Sequence, residues 1–144
     1  MKLSTRTEYG IRAVLELAGN VGNGPLQLKI IAQRQNISIK YLEQLMAILR
    51  ASGYVRSIRG SRGGYIIGKP ANQIKISEVF RTLEGPITTS ECIDNEDYCP
   101  NTKDCVMREL WCRVQKSMMD VLESVTLQDL IDKAGDSKRL TYEI

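Results

Sequence analysis

The chain has 144 residues and no histidine. Histidine is the commonest general base and metal ligand of proteins, so the usual nucleophile and base pairs are missing and we do not expect an enzyme. No apolar run approaches the ~20 residues of a membrane span. The first residues, MKLSTRTEYG, lack the apolar core of a secretory signal, which predicts a cytoplasmic protein.

Charge is distributed unevenly along the chain. Residues 1–70 carry 11 Lys and Arg against 3 acidic residues, a net charge of +8, whereas residues 71–144 carry 9 against 14, a net charge of −5. A basic half favours a polyanionic partner, and nucleic acid is the first candidate. A basic surface that only faces solvent is the plainer interpretation.

Three helices are predicted in the basic half. An apolar residue at every fourth position predicts a helix over residues 5–21, with Ser4 as a possible cap. A second short helix is expected at residues 26–34, and Ser38 is placed to cap a third over residues 39–52. The tight connection between the last two helices is typical of a helix-turn-helix, although any helical hairpin gives a similar pattern.

Two β-rich runs follow, at residues 54–59 and 64–69, joined by the turn Gly60-Ser61-Arg62-Gly63. Glycine turns between such runs predict a hairpin, which after a helix-turn-helix is the wing of a winged helix. Arg59 and Arg62 would stand at the wing tip, where arginine suits the negative potential of a narrow minor groove. The alternative is that they only decorate an exposed turn.

The acidic half contains all four cysteines. Ser77 is predicted to cap a helix that ends at Gly85, and a long acidic loop is expected over residues 86–104. Cys92 and Cys99 lie in that loop. Thiolates gathered in one segment are the usual protein contribution to a soft-metal or iron–sulfur site.

A long helix is predicted from Cys105 onward, because apolar residues recur there at heptad-like spacing. This stripe consists of Met107, Trp111, Val114, Met118, Val121 and Val125. One chain supplies no second long helix, so pairing with another copy is the natural inference, and folding back on its own domain is the alternative. A capping box at Thr126 and Asp129 predicts a final short helix that ends at Gly135.

We therefore predict a mainly α protein with a small β-hairpin wing. Residues 1–84 would form a winged helix-turn-helix DNA-binding domain, residues 85–104 a cysteine-containing loop, and residues 105–144 the dimerisation helix and a short C-terminal helix.

Over nearly its whole length the sequence resembles the IscR/NsrR family of bacterial winged-helix regulators. The most specific stretches are ISIKYLEQLMAILRASGYVRSIRGSRGGYIIGK and the pattern Cys-x6-Cys-x5-Cys before the long helix. Within the family it is most similar to the IscR type, which controls iron–sulfur cluster assembly genes. The resemblance implies a homodimer on double-stranded operator DNA, with crossed long helices and each cluster near the partner's wing domain.

The resemblance also implies DNA-contacting positions. Family contacts fall on Ser38, Tyr41, Gln44 and Arg59. Lys40 stands where the IscR type often has a small polar residue, which would change the preferred bases. Glu43 matches a position that disfavours one class of operator when the cluster is absent, since a carboxylate facing a phosphate or a base acceptor is repelled. A surface glutamate of no consequence is the alternative.

By the same resemblance, Cys92, Cys99 and Cys105 would bind an iron–sulfur cluster, with the two-iron form preferred over the four-iron form. The IscR type adds a histidine three residues after the last cysteine, but this chain has Arg108 there. An arginine that stays protonated cannot bind iron. The fourth ligand therefore has to come from elsewhere.

Two residues are candidates for that fourth ligand. NsrR-like relatives use a carboxylate from the other subunit at the position of Glu8, which is otherwise an ordinary exposed helix residue. Cys112 lies about 10 Å beyond Cys105 along a regular helix, which favours packing at the dimer seam over ligation.

We therefore expect a transcription regulator that senses iron–sulfur status. The alternative is a repressor of the same family whose thiols bind zinc or respond to nitric oxide or to oxidation.

Overall fold

The structure, a computed structural model, describes residues 3–86, 88 and 91–142. Within these residues the chain forms a helical protein with one β-hairpin, as predicted. The elements are α1 (Thr5–Ala18), α2 (Leu28–Gln35), α3 (Ile39–Ala51), β1 (Val55–Ile58), β2 (Gly64–Ile67), α4 (Ile76–Glu84), α5 (Glu91–Asp94), α6 (Val106–Ser124) and α7 (Leu127–Tyr142). None of the described helices is long and apolar enough to cross a membrane.

The core lies between α1, α2, α3 and α4. Apolar residues at helical spacing place one face of each helix inward, and burying each large aliphatic side chain contributes about 1.5–3 kcal/mol. Side chains that are at most 2 % exposed include Val14, Leu17, Ile31, Leu42, Met46, Leu49, Ile74 and Val79. The predicted extension of α1 to residue 21 is wrong, because the helix ends at Ala18 and Val21 is 66 % exposed.

The two predicted N-terminal caps of the basic half are confirmed. The Ser4 hydroxyl accepts a hydrogen bond from the Thr7 N–H, and the Ser38 hydroxyl accepts one from the Tyr41 N–H. The predicted start of the second helix at residue 26 is wrong. Leu26 instead forms an isolated antiparallel bridge with Tyr65, with both backbone N···O distances 2.9 Å.

The predicted hairpin is confirmed, and its antiparallel strands place Val55 opposite Ile67 and Ile58 opposite Gly64. Glycine is required at the start of β2, because Gly64 has φ +154° and a Cβ there would lie 2.6 Å from the carbonyl oxygen of Leu26. The Leu26 bridge therefore holds the hairpin against the helical core.

The predicted capping role of Ser77 is wrong. The cap position of α4 is Lys75, whose side chain makes no cap hydrogen bond, and Ser77 is buried in the first turn. The start of α4 is stabilised by another part of the chain, since the Ile76 N–H donates to the Val125 carbonyl at 2.9 Å. Gly85 ends α4 with φ +85°, as expected.

The capping box of the last helix is confirmed. The Thr126 N–H donates to the Asp129 carboxylate at 2.9 Å, and the Asp129 N–H donates to the Thr126 hydroxyl at 3.2 Å. The predicted end at Gly135 is wrong, because α7 continues to Tyr142 and is not short. Leu127 is fully buried in the core of the winged domain, so the start of α7 completes that core.

The acidic stretch between α4 and α6 is less irregular than predicted. It contains the single turn α5 and a 3-10 turn at Thr102–Asp104. The predicted long helix is present as α6, which has 19 residues and none of them buried.

Candidate nucleic-acid interface and cysteine segment

The first two turns of α3 carry the predicted DNA-contacting side chains. Ser38, Lys40, Glu43 and Gln44 are exposed, and Tyr41 is half-buried. Residues three apart on a helix lie on one face, so Tyr41 and Gln44 are neighbours on its surface. This end of α3 can therefore present hydrogen-bonding groups and one cation to a groove.

The orientation of Tyr41 is supported from α1. The Tyr9 ring meets the Tyr41 ring edge-on, with centroids 6.4 Å apart and an interplanar angle of 89°. The Arg12 guanidinium lies 5.4 Å from the Tyr9 centroid, within cation–π range. The sequence patterns did not reveal this contact, because periodicity within a helix does not report pairs on different helices.

The wing presents two arginines on the loop between β1 and β2. Arg59 and Arg62 are both exposed. In the part of the chain that the structure describes, no carboxylate pairs with either guanidinium. Their charge is thus available to an anionic partner, which is the property expected of a DNA-binding wing.

The four cysteines are reduced thiols, all partly buried. Cys92 lies in α5, Cys99 in a turn, Cys105 at the N-cap of α6 and Cys112 within α6. Among the described residues, no three His, Cys, Asp or Glu side chains lie close enough together to hold a metal ion. Cysteine thiolates suit an iron–sulfur cluster, but the arrangement of the cysteines in this single chain does not fit one.

Arg108, at the position of the expected histidine, joins α5 to α6. Its Nε donates a hydrogen bond to the Cys92 carbonyl at 3.0 Å. Lys103, Cys105, Arg108 and Cys112 all line one open cavity of about 460 Å³. Cys105 and Cys112 therefore share a cavity although they are two helical turns apart.

Glu8, the candidate fourth ligand, lies on the exposed side of α1. Its carboxylate forms an ion pair with Arg12 at 2.9 Å, and both side chains are about half exposed. Such exposed pairs contribute about 0–1 kcal/mol, so little energy opposes a new partner for Glu8. Its role as a ligand remains a prediction.

The apolar stripe of α6 is largely uncovered in the single chain. Met107, Trp111 and Val121 of the stripe are exposed, as are the neighbouring Val106 and Leu110, whereas Val114 and Met118 are partly buried. The C-terminal end of the helix is joined to the core by Arg81, which pairs with Glu123 at 3.1 Å. Contiguous exposed apolar surface of this kind marks an interaction site.

Comparison with known proteins decides the family. The family model named Rrf2, described as an iron-dependent transcriptional regulator, matches residues 3–133. The chain belongs to the Rrf2 family. Its predicted relationship to IscR-like winged-helix regulators is thereby confirmed.

Two curated Rrf2 relatives illustrate the range of similarity. The HTH-type transcriptional regulator CymR of Bacillus subtilis is 44% identical over 130 residues, which is 90% of this chain and 89% of CymR. The HTH-type transcriptional regulator IscR of Cronobacter sakazakii is 35% identical over 132 residues, 92% of this chain and 81% of that protein.

Solved structures of Rrf2 proteins agree with the observed fold. CymR, described as the global cysteine regulator of B. subtilis, superposes with a TM-score of 0.80 and covers 92% of this chain and 98% of its own. T. potens IscR is 39% identical and superposes with a TM-score of 0.79, and the match covers 95% of this chain and 90% of the IscR chain. The chain is thus a DNA-binding transcription regulator with a winged-helix fold, and its relatives are regulators and not enzymes. Sequence identity does not favour the IscR type over CymR.

Proposed function

We propose that this Rrf2 protein is a homodimeric regulator whose affinity for operator DNA depends on an iron–sulfur cluster, and that it controls iron–sulfur cluster assembly genes. One observation carries the proposal. Three partly buried cysteines lie between α4, which packs on α1, and α6, none of whose residues is buried in the single chain. A ligand that orders this segment would act on both the DNA-reading and the dimer-forming parts.

DNA reading is assigned to α3 and the wing. Ser38, Tyr41 and Gln44 would contact base edges and backbone, whereas Lys40, Arg59 and Arg62 would contact phosphates or the minor groove. Replacing Gln44 by Ala should remove a bidentate contact and cost about 1–3 kcal/mol of discrimination between bases. A matched Gln73→Ala variant, on an exposed turn outside this surface, should bind like wild type.

Glu43 is proposed to restrict the range of operators. Its carboxylate is exposed beside Gln44 and would repel a phosphate or a base acceptor. Glu43→Ala should therefore tighten binding to DNA sequences that the wild type binds weakly. Anisotropy titrations against a set of genomic fragments would measure this, and an unchanged order of affinities would remove Glu43 from the interface.

Dimer formation is assigned to α6. An operator with two half-sites is matched by a two-fold symmetric protein. The absence of buried residues along α6 supports this assignment, because a 19-residue helix with an apolar stripe needs a second surface.

Sensing is assigned to Cys92, Cys99 and Cys105, with Glu8 of the partner subunit as candidate fourth ligand. A bound cluster would supply redox and ligand-exchange chemistry. Because the three thiols do not converge in the single chain, residues 91–105 must rearrange to bind one. The hydrogen bond from Arg108 to the Cys92 carbonyl would change in that rearrangement.

Anaerobic purification followed by absorbance and iron counting tests the ligand set. Wild type should show visible thiolate-to-iron bands, and Ser at Cys92, Cys99 or Cys105 should abolish them. Cys112→Ser is the matched control and should keep them. Colourless wild-type protein, or an equal loss in the control, would contradict the assignment.

The role of Glu8 is tested separately, because an oxygen ligand affects the spectrum less than a thiolate does. Glu8→Ala should shift the bands of the reconstituted protein, whereas Arg12→Ala, which removes only the ion-pair partner, should leave them in place. An unchanged spectrum in Glu8→Ala would exclude this ligand.

A second candidate function is thiol-based sensing without iron. It is favoured by the 44% identity to CymR, which is described as a global cysteine regulator, and by the four thiols, which do not converge in the single chain. Zinc binding or a reversible disulfide would leave the protein colourless. The same absorbance measurement, together with zinc counting and the mass of alkylated protein, separates this candidate from the first.

A further inference from the structure

A hollow of about 400 Å³ lies behind the reading end of α3, where α1, α3 and α4 meet. It is bounded by the two reading side chains and by the start of α1 and the end of α4. The polar residues around it are Ser4, Arg6, Tyr41, Gln44 and Glu84. The start of α1 therefore borders the surface assigned to DNA.

Arg6 differs from three arginines on neighbouring helices, each of which forms an ion pair. Arg12, Arg34 and Arg81 each pair with a carboxylate at 2.9–3.1 Å. Arg6 is exposed, and no carboxylate in the described ranges lies within salt-bridge distance of it. It thus keeps a guanidinium outside any salt bridge at the rim of the hollow.

Glu84 lies at the same hollow and could pair with Arg6, but its carboxylate is hydrogen-bonded to the start of α1. The same oxygen of Glu84 accepts hydrogen bonds from the Ser4 hydroxyl, at 2.6 Å, and from the Thr7 hydroxyl. These two hydrogen bonds lower the pKa of the Glu84 carboxyl, and the charge of Arg6 adds a smaller effect. Arg6 therefore stays available while Glu84 serves the start of α1.

The backbone that carries Arg6 is fixed relative to α3. The Tyr9–Tyr41 ring contact joins α1 to α3, and the Ser4 and Thr7 hydrogen bonds join α1 to α4. Gly10 packs so closely on Leu83 that a Cβ at Gly10 would lie 2.5 Å from a Leu83 methyl group. Arg6 is consequently presented at a defined position beside Tyr41 and Gln44.

We propose that Arg6 is a phosphate-contacting residue of the DNA interface, a third point of contact beside α3 and the wing. This inference rests on the DNA-binding function proposed above and not on the cysteine chemistry. Side chains that enter a groove are flanked by the phosphates at its edges, and a guanidinium is the side chain best suited to bind a phosphate with two hydrogen bonds. Arg6 would therefore position the reading helix without reading sequence.

The test compares Arg6→Gln with Arg6→Lys and with the control Arg81→Gln in the full-length dimer. Arg81 is exposed like Arg6, but it pairs with Glu123 away from the hollow. Affinity for an operator fragment, selected from genomic DNA by the wild type, is measured from about 0.05 to 0.4 M salt, together with affinity for a scrambled duplex. Circular dichroism establishes that the variants fold.

Arg6→Gln should make the slope of log affinity against log salt shallower by about 0.9 for each bound chain, and cost about eightfold in affinity per chain at about 0.1 M salt. The loss should be equal for operator and scrambled DNA. Arg6→Lys should keep the slope, because it keeps the charge, and Arg81→Gln should behave like wild type.

Three results would overturn the proposal. An unchanged salt slope in Arg6→Gln would exclude the phosphate contact. An equal change of slope in Arg81→Gln would mean that the effect of Arg6→Gln comes from net charge alone. A loss confined to the operator would mean that Arg6 reads bases. Failure of the wild type itself to bind DNA would instead refute the proposed function.

Discussion

The winged domain and the cysteine segment with α6 are built in opposite ways. In the winged domain, side chains from four helices are at most 2 % exposed, and Leu127 from α7 completes the core. Along α6, no residue is buried and the cysteines do not converge. The first region is therefore complete in one chain, whereas the second is the part to which the partner subunit and the ligand are proposed to bind.

The largest effect is expected from truncating the core of the winged domain. Leu49 is fully buried, and Leu49→Ala should lower the free energy of unfolding by about 2–5 kcal/mol. Leu110→Ala makes the same chemical change on α6, where the side chain is 42 % exposed in the single chain, and should cost far less when the protein is dilute enough to be monomeric. Urea unfolding of both variants at such a low protein concentration measures both. Equal losses would contradict the contrast between the regions.

The next effect concerns self-association. Trp111 lies in the exposed apolar stripe of α6, so Trp111→Asp should weaken the dimer by about 2 kcal/mol or more, roughly thirtyfold. Lys116→Asp places the same charge on a side chain that is 80% exposed and should leave the dimer intact. Sedimentation velocity would measure the dissociation constants. A stable Trp111→Asp dimer would mean that α6 is not the interface.

A smaller effect is expected at the joint between α1 and α4. The hydroxyls of Ser4 and Thr7 lower the pKa of Glu84, so the carboxylate stabilises the fold above the pKa of the unfolded chain. That contribution is lost as the pH falls through the lowered pKa of the folded chain.

In thermal unfolding, wild type should therefore melt above Glu84→Gln at neutral pH, with the difference shrinking as the pH falls through the lowered pKa of the Glu84 carboxyl. A matched Glu78→Gln variant on the same helix separates the loss of these hydrogen bonds from a change in net charge. A difference that stays constant with pH would argue against the ionised Glu84 as the cause.

The smallest effect distinguishes two glycines. Gly135 lies inside α7 with open space around it, so Gly135→Ala should stabilise the protein by about 0.5–1 kcal/mol. Gly85 has φ +85°, so Gly85→Ala should destabilise it. Denaturant titrations would show the two signs, and stabilisation by both would contradict the assigned end of α4.

Local patterns predicted much of the winged domain. The helix caps act within one turn of helix, as at Ser4, Ser38 and the Thr126–Asp129 box. The glycine-rich turn between β1 and β2 marks the hairpin. Each of these signals lies in a few adjacent residues. Two of the errors arose where another part of the chain intervened. Ser77 is not a cap because the segment around Val125 bonds the start of α4, and residue 26 is not helical because it pairs with Tyr65.

The candidate site was predictable to a smaller extent. The positions on α3, the wing and the cysteine pattern follow from short motifs, but the contacts that support them do not. Tyr9 against Tyr41 and Arg108 on the Cys92 carbonyl join residues far apart in the chain. The availability of Arg6 also depends on which carboxylates are already engaged, which only a three-dimensional structure reveals.

We propose that the winged domain, which is complete in one chain, reads DNA and that the cysteine segment with α6 controls it. The most direct test measures operator affinity of anaerobic wild type and of a variant with Ser at Cys92, Cys99 and Cys105, each before and after treatment with iron and sulfide. We predict that the treatment changes the affinity of wild type and leaves the variant unchanged, while both bind DNA with the same salt dependence. An equal response in both proteins, or none in wild type, would contradict the claim.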